Sequence, residues 1–288
     1  MRVTLFAMGF TYCLLLQPLV GGDASAATLA NFDDGNGSGS PDAFPGTAGA
    51  GWAGGWTNAP LGTVINTNPW NGGGKYLSVS NSGAGSFAMQ RQFGLPDPTK
   101  PHTIRWQWRF DGDFNDFTSA GEDRIHFFGD DNGSETGSGG GNSWLIGVTN
   151  NRPGFGAVDN EFYFFDGTGG SGFSVANMFD TDLLLQDDTI YDFEVFVDPD
   201  AGTYNATVSD GINTVSAFGL GFRNQNAAPG TYDFVGFGLN ASGAGDDLTF
   251  ALDSISISQI PEPASFAIWS LLGLGLAGMG YYRTRRKS

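Results

Sequence analysis

Apolar and polar residues alternate along much of this chain with a period of two. In His102–Phe110 (HTIRWQWRF), Ile104, Trp106, Trp108 and Phe110 fall on one side, and Thr103, Arg105, Gln107 and Arg109 on the other. Successive side chains of an extended strand point to opposite faces, so this spacing predicts a strand with one face buried and one in water. Comparable runs predict strands at 75–80, 86–93, 124–128, 143–148, 161–165, 189–197, 202–209, 213–220, 232–239 and 248–258. Asp198-Pro-Asp-Ala-Gly202 reads as a hairpin turn between two of them, because Pro fixes φ and Gly accepts a positive one. Asp210-Gly211 marks the next turn. No segment between residues 28 and 260 keeps a helical period with caps. Many strands at regular spacing predict an all-β fold, a two-sheet jelly-roll sandwich. The first strand, from Leu29, and the last, Leu252–Ile257, are expected to pair.

The two ends break this pattern. Met1 and Arg2 precede a mostly apolar stretch to Val20, followed by the small residues Ala24, Ala26 and Ala27. That is the layout of a secretory signal peptide over residues 1–27, with cleavage after Ala26 or Ala27. At the other end, Ala264–Tyr282 is nineteen residues without a charge. As a helix it spans roughly 28 Å, enough to cross a hydrocarbon core. Arg283, Arg285, Arg286 and Lys287 follow it and are expected to stay in the cytoplasm, which puts everything before Pro261 outside. The chain therefore divides into a signal peptide (1–27), a β-sandwich domain (28–259) and a tail (260–288).

Composition narrows the partners. Residues 28–260 carry 8 basic and 28 acidic side chains, and Lys occurs there only at Lys75 and Lys100. So acidic a surface repels nucleic acid and anionic lipid. Cys13, the only cysteine, lies in the signal segment, so the mature domain is expected to hold no disulfide and no thiolate metal site. No cofactor is expected, although clustered carboxylates leave room for a structural Ca²⁺. Asp33, Asp34 and Asp253 meet if the terminal strands pair. Asp111, Asp113, Asn115, Ser119 and Glu122 stand at EF-hand-like spacing, but Asp116 replaces the required glycine and the flanks are strands.

The tail Pro261-Glu262-Pro263, apolar helix 264–282 and Arg-rich end 283–288 resembles the sorting signal of the PEP-CTERM family of exported bacterial proteins. The resemblance implies processing by a membrane-embedded exosortase, a transient tether to the inner membrane through the helix, and a final place at the cell surface or in the extracellular matrix. The body of the chain, with GWAGGW (51–56) and VDPDAGTYNATVSDG (197–211), resembles the concanavalin A-like (laminin G-like) jelly roll. A galactose-binding-like sandwich is the alternative. Glucanases of the resembled class use closely spaced glutamates on one strand. Here Glu122, Glu135, Glu161 and Glu194 form no such pattern, and Glu122-Asp123 and Asp192-x-Glu194 are the nearest substitutes. No catalytic residue is therefore assigned.

The remaining motifs favour binding over catalysis. Gly167–Gly172 fits G-x-G-x-x-G but lacks the helix that a dinucleotide site needs, and so reads as a loop. His126 alternates with Ile125 and Phe127 and is expected on the surface. Trp106, Trp108 and Trp144 occupy core positions, whereas Trp52, Trp56 and Trp70 lie in Gly/Asn/Pro-rich segments where exposed rings would stack on sugars. The expectation is an exported, non-enzymatic envelope or matrix protein that binds exopolysaccharide. A secreted glucanase-type hydrolase using the same sorting route is the alternative.

Overall fold

The computed structural model describes residues 28–33, 42–65, 70, 74–81, 83–117, 123–130, 142–150, 160–170, 175–224 and 233–259, and in the tail Leu272 and Leu274. The signal segment with Ala24, Ala26 and Ala27 lies outside these residues. So do Asp34, Glu122, Glu135, the Pro261-Glu262-Pro263 motif and the basic end. Among the described residues no helix is long and apolar enough to cross a membrane.

The described chain forms, in order, β1 (Thr28–Ala30), β2 (Asp42–Ala43), β3 (Gly62–Ile65), β4 (Tyr76–Val79), β5 (Gly85–Gln92) and β6 (His102–Phe110). A short helix α1 (Phe114–Phe117) leads to β7 (Arg124–Asp130), β8 (Leu145–Thr149), β9 (Glu161–Phe165) and β10 (Met178–Leu184). Then come β11 (Ile190–Asp198), β12 (Thr203–Ser209), β13 (Thr214–Gly221), β14 (Phe234–Ala241) and β15 (Phe250–Gln259). Nine strands make one sheet in the order β13-β12-β11-β6-β15-β4-β3-β2, with β1 also paired to β15. Six make the other, β10-β9-β8-β7-β14-β5. All the neighbouring strands run antiparallel. The protein is a two-sheet antiparallel sandwich, and the expected pairing of its ends is present, with Thr28 opposite Ile257.

The period-two pattern becomes the two faces of the large sheet. Ile104, Trp106, Trp108 and Phe110 of β6 are buried, while Arg105 is exposed and Gln107 and Arg109 are half-buried. Trp106 sits at the centre of the core, stacked on Phe193 of β11 at 4.9 Å and 4°, and edge-on to Phe127 and Phe237 of the small sheet. Burying one such side chain stabilises the fold by up to about 3 kcal/mol. Tyr204 of β12 ties the sheets together, its hydroxyl donating to the carbonyl of Leu145 at 3.1 Å and to that of Phe165. The hairpin at 198–202 forms as its residues require, with Gly202 at φ +64° and the Ala201 amide bonded to the Asp198 carboxylate.

Beyond the short strands β2 and β3, which no alternating run predicts, three features depart from the sequence reading. β10 was not expected, because MFDTDLL at a sheet edge exposes most of its residues and shows no clean apolar stripe. Residues 167–169 form a 3₁₀ turn capped by the Asp166 carboxylate. His126 is buried, not on the surface, because the outer side of the small sheet carries a second apolar cluster around Phe128, Tyr163 and Phe165. Its Nε2 lies 3.1 Å from the Tyr163 hydroxyl.

His102, at the start of β6, is also fully buried, with Nδ1 at 3.0 Å from the Lys100 carbonyl and its ring against Phe93. Burial lowers its pKa to about 4, against a carbonyl contact that works the other way. The unfolded chain takes up the proton near pH 6.5, so between these values it binds more protons than the folded one, and stability is lost as the pH is lowered through this range. Urea unfolding at pH 7 and pH 4 should show wild type losing about 3 kcal/mol relative to His102→Asn. Equal losses in the two proteins would contradict this assignment.

Candidate functional site

The tryptophans singled out by composition are packing groups. Trp56 and Trp70 are buried. Trp56 lies against Trp52 at 5.2 Å and Phe237 at 5.9 Å. Trp52 is half-buried, donates its indole N–H to the Leu29 carbonyl at 3.1 Å, and is covered on one face by the Arg91 guanidinium at 4.6 Å. Arg91 itself is buried and donates to the carbonyls of Gly54 and Ala48. A buried cation and two indoles thus fasten the Gly-rich segment 48–56 to β5. Trp70 packs on Tyr76, Ala251, Ile65 and Ile190, on the outer side of the large sheet. Burial takes the ring faces of Trp56 and Trp70 from solvent, so neither can stack on a sugar.

The described aspartates among the sequence candidates have partners within the domain. Asp33 accepts from the Lys75 amide at 2.8 Å and from Asn31. Asp253 is buried and accepts from the Ser254 amide. Asp111 pairs with Arg109 at 2.5 Å, and Asp113 caps α1 through the Asn115 amide at 2.9 Å. Asp123 is fully buried, bonded to Ser242 and Asn150, and burial pushes its pKa up. Among the described residues no group of three or more His, Cys, Asp or Glu is placed to hold a metal ion.

A different feature stands out on the outer face of the nine-stranded sheet. Arg105 and Gln107 of β6, Asp192 and Glu194 of β11, Thr207 and Ser209 of β12, and Ser254 and Ser256 of β15 line a trough of about 400 Å³. These side chains follow from register. Glu194 stands opposite Arg105 on one side and Thr207 on the other, and Asp192 stands between Gln107 and Ser209. Arg105 donates Nε to Glu194 at 2.7 Å, and Gln107 donates to Asp192 at 2.9 Å. Thr207 pairs with Ser216, and Thr214 with Ser209, on β13. The result is two rows of donors and acceptors crossing adjacent strands, spaced about 4.8 Å between strands and about 6.8 Å along them.

A bulge in β15 shapes one side of the trough. Register slips by one residue between Asp253 and Ser256, and Ser254 takes φ +53°, held by the Asp253 carboxylate. A non-glycine residue in the left-handed region costs roughly 1–2 kcal/mol, and bulges concentrate where a side chain is re-aimed. Past the Asp192 row, Trp70 and Ile190 close the face with an apolar cluster.

Asp192 and Glu194, alternate residues of β11, are exposed on one side of the sheet, and β11 lies between β6 and β12. Arg105, Gln107, Thr207, Ser209, Ser254 and Ser256 were not singled out. The available signal was charge complementarity between the polar side of HTIRWQWRF and that of TIYDFEVFV, but their pairing joins segments more than 80 residues apart.

Residues 259–287 match a family described as the PEP-CTERM protein-sorting motif, so the chain carries a signal that marks an exported protein. No curated protein matches the chain in sequence. Among solved structures, a sialidase aligns with 89% of the chain at 13% identity and a TM-score of 0.49, and the chain spans 21% of that protein's length. The catalytic domain of a glycoside hydrolase family 131 protein from Coprinopsis cinerea aligns with 82% of the chain over 84% of its own, at 12% identity and a TM-score of 0.49. Lectin II from Ulex europaeus aligns with 68% over 92%, at 11% identity and a TM-score of 0.40.

If Trp56 is a structural anchor, Trp56→Ala should lower the stability of the full chain by about 3–5 kcal/mol in urea unfolding. A loss below about 1 kcal/mol would show that its ring does not hold this end of the sandwich.

Proposed function

We propose that the protein is a non-enzymatic glycan-binding component of the cell envelope or extracellular matrix, delivered there by its sorting tail. The trough on the outer face of the large sheet carries this reading. Eight polar side chains line it beside Trp106 and Phe193, Arg105 is paired with Glu194 and Gln107 with Asp192, and these donors and acceptors sit at the regular spacing of a sheet. That arrangement suits the hydroxyls of an extended polysaccharide. We assign the sandwich to the concanavalin A-like class on its two antiparallel sheets and the pairing of its first and last strands.

Delivery follows from the tail. The signal peptide is removed, the helix 264–282 tethers the domain outside the cytoplasm, and an exosortase recognising Pro261-Glu262-Pro263 processes it. β15 runs to Gln259, where the sorting motif begins, so almost no linker separates the folded domain from the tail. Replacing Pro261 and Glu262 by Ala should leave the tail attached, as read by the mass of the protein recovered from exosortase-positive cells. Unchanged processing would remove the sorting part of the proposal.

A second reading draws on Asp192 and Glu194, two carboxylates on one strand and one face of the trough. Inverting glycosidases hold their acid pair about 6.5–9.5 Å apart, a range that alternate residues of a strand reach. Against it, both side chains already accept hydrogen bonds from β6, and a nucleophile or acid would have to give these up. Binding to a glycan array, paired with an assay for released reducing sugar, separates the two. The binding proposal expects retention of glycan without sugar release, and Gln107→Ala weakening retention about tenfold through one lost hydrogen bond to the ligand. Sugar release abolished by Glu194→Gln would establish the hydrolase instead.

A further inference from the structure

Among the described residues the large sheet ends at β13, and there its outer face changes character. Ser216 points outward, bonded to Thr207, and Ala217 points into the core. Phe218 follows, 77% exposed. Lone exposed apolar residues are common, so exposure alone says little. What distinguishes Phe218 is how the backbone presents it. Ala217 stands opposite Ala206 and Leu220 opposite Tyr204, so Phe218 and Gly219 together face the single residue Asn205. This is a bulge, and it sets Phe218 on the outward side that Asn205 occupies. Gly219 takes φ +69°, a conformation that a side chain would strain, and the side-chain Oδ1 of Asn205 accepts its amide at 2.8 Å. Asn205 is next to Phe196 of β11, which is half-buried on the same face and two residues beyond Glu194.

The outer face therefore reads in sequence from the Trp70 cluster through two polar rows to an aromatic row of Phe196 and Phe218. We infer that Phe218 is a stacking platform at the rim of the trough, and that the glycan bound there is neutral. The inference rests on the binding reading of the trough and adds to it the residue that grips a ring and the charge class of the ligand. A pyranose has hydroxyls at its edges and C–H groups on its faces. The edges suit the rows of Gln107, Thr207 and Ser209, and the C–H face suits the negative face of a phenyl ring. Charge sets the class. Arg105, the basic residue of the trough, is neutralised by Glu194, while Asp192 and Glu194 lie in its lining and the whole chain carries a net charge of −17. Uronic acids and sulfated sugars are repelled by such a field.

The test uses the full chain in detergent, titrated calorimetrically with cello-, malto-, manno- and galactohexaose, and with hexagalacturonate as the acidic probe. The expected result is binding of at least one neutral hexasaccharide, with hexagalacturonate at least tenfold weaker. Phe218→Ala should weaken the neutral ligand about tenfold, and Phe218→Trp should retain or tighten it. Phe218 makes no core contact, so both variants should unfold at wild-type urea concentration. Wild-type affinity in Phe218→Ala, with Gln107→Ala still impaired, would overturn the platform and leave the trough standing. Hexagalacturonate binding as tightly as the neutral sugars would overturn the charge class. If wild type binds none of the neutral hexasaccharides, the reading of the trough falls and this inference with it.

Discussion

Everything in this structure hangs on the register between β6 and β11. With Trp106 opposite Phe193, the two rings stack inside the sandwich, and the same alignment places Arg105 beside Glu194 and Gln107 beside Asp192 on the outside. A slip of one residue would turn one strand over against the other, driving either Arg105 and Gln107 or Asp192 and Glu194 into the core and exposing the buried aromatics of that strand. The exposed ion pair contributes little to stability. The core fixes the register, and the outer face inherits its pattern of donors and acceptors. Core and candidate site are two faces of one alignment.

The acidic load has a local explanation. Many of the aspartates accept hydrogen bonds from amides one to three residues away, as Asp97 does from Thr99, Asp210 from Ile212 and Asn213, and Asp247 from Thr249. Short carboxylates close turns by mimicking a backbone carbonyl, and a sandwich with this many connections needs many such closures. Of the aspartates in those sequence clusters, Asp113 caps α1, Asp111 pairs with Arg109, and Asp33 accepts from the Lys75 amide, 42 residues away. What remains is an acidic surface, with a net charge of −17 over the whole chain, that repels anions.

The strands were legible because their residues alternate: β6, β9, β11 and β12 fall within a residue or two of the expected limits, and Gly202 and Gly211 sit at positive φ where the turns required them. The partners of those strands were not legible. That Arg105 meets Glu194 depends on the sheet order, which no local period encodes. The loop tryptophans misled for the same reason. A Gly-rich context suggests exposure, but a buried arginine on β5, distant in sequence, draws Trp52 and Trp56 inward. Phe218 gave no signal, because a bulge is visible only once the opposing strand is known. The sorting tail was the most legible part of all, since its information lies in local order and composition.

Hydroxyl-radical footprinting of the full chain, with and without a neutral hexasaccharide, tests the placement of the binding face most directly. Bound glycan should lower oxidation of Phe218 and Phe196 and leave Trp52 unchanged. Protection of Trp52 with Phe218 still oxidised at the free rate would contradict it and return the site to the Gly-rich loop.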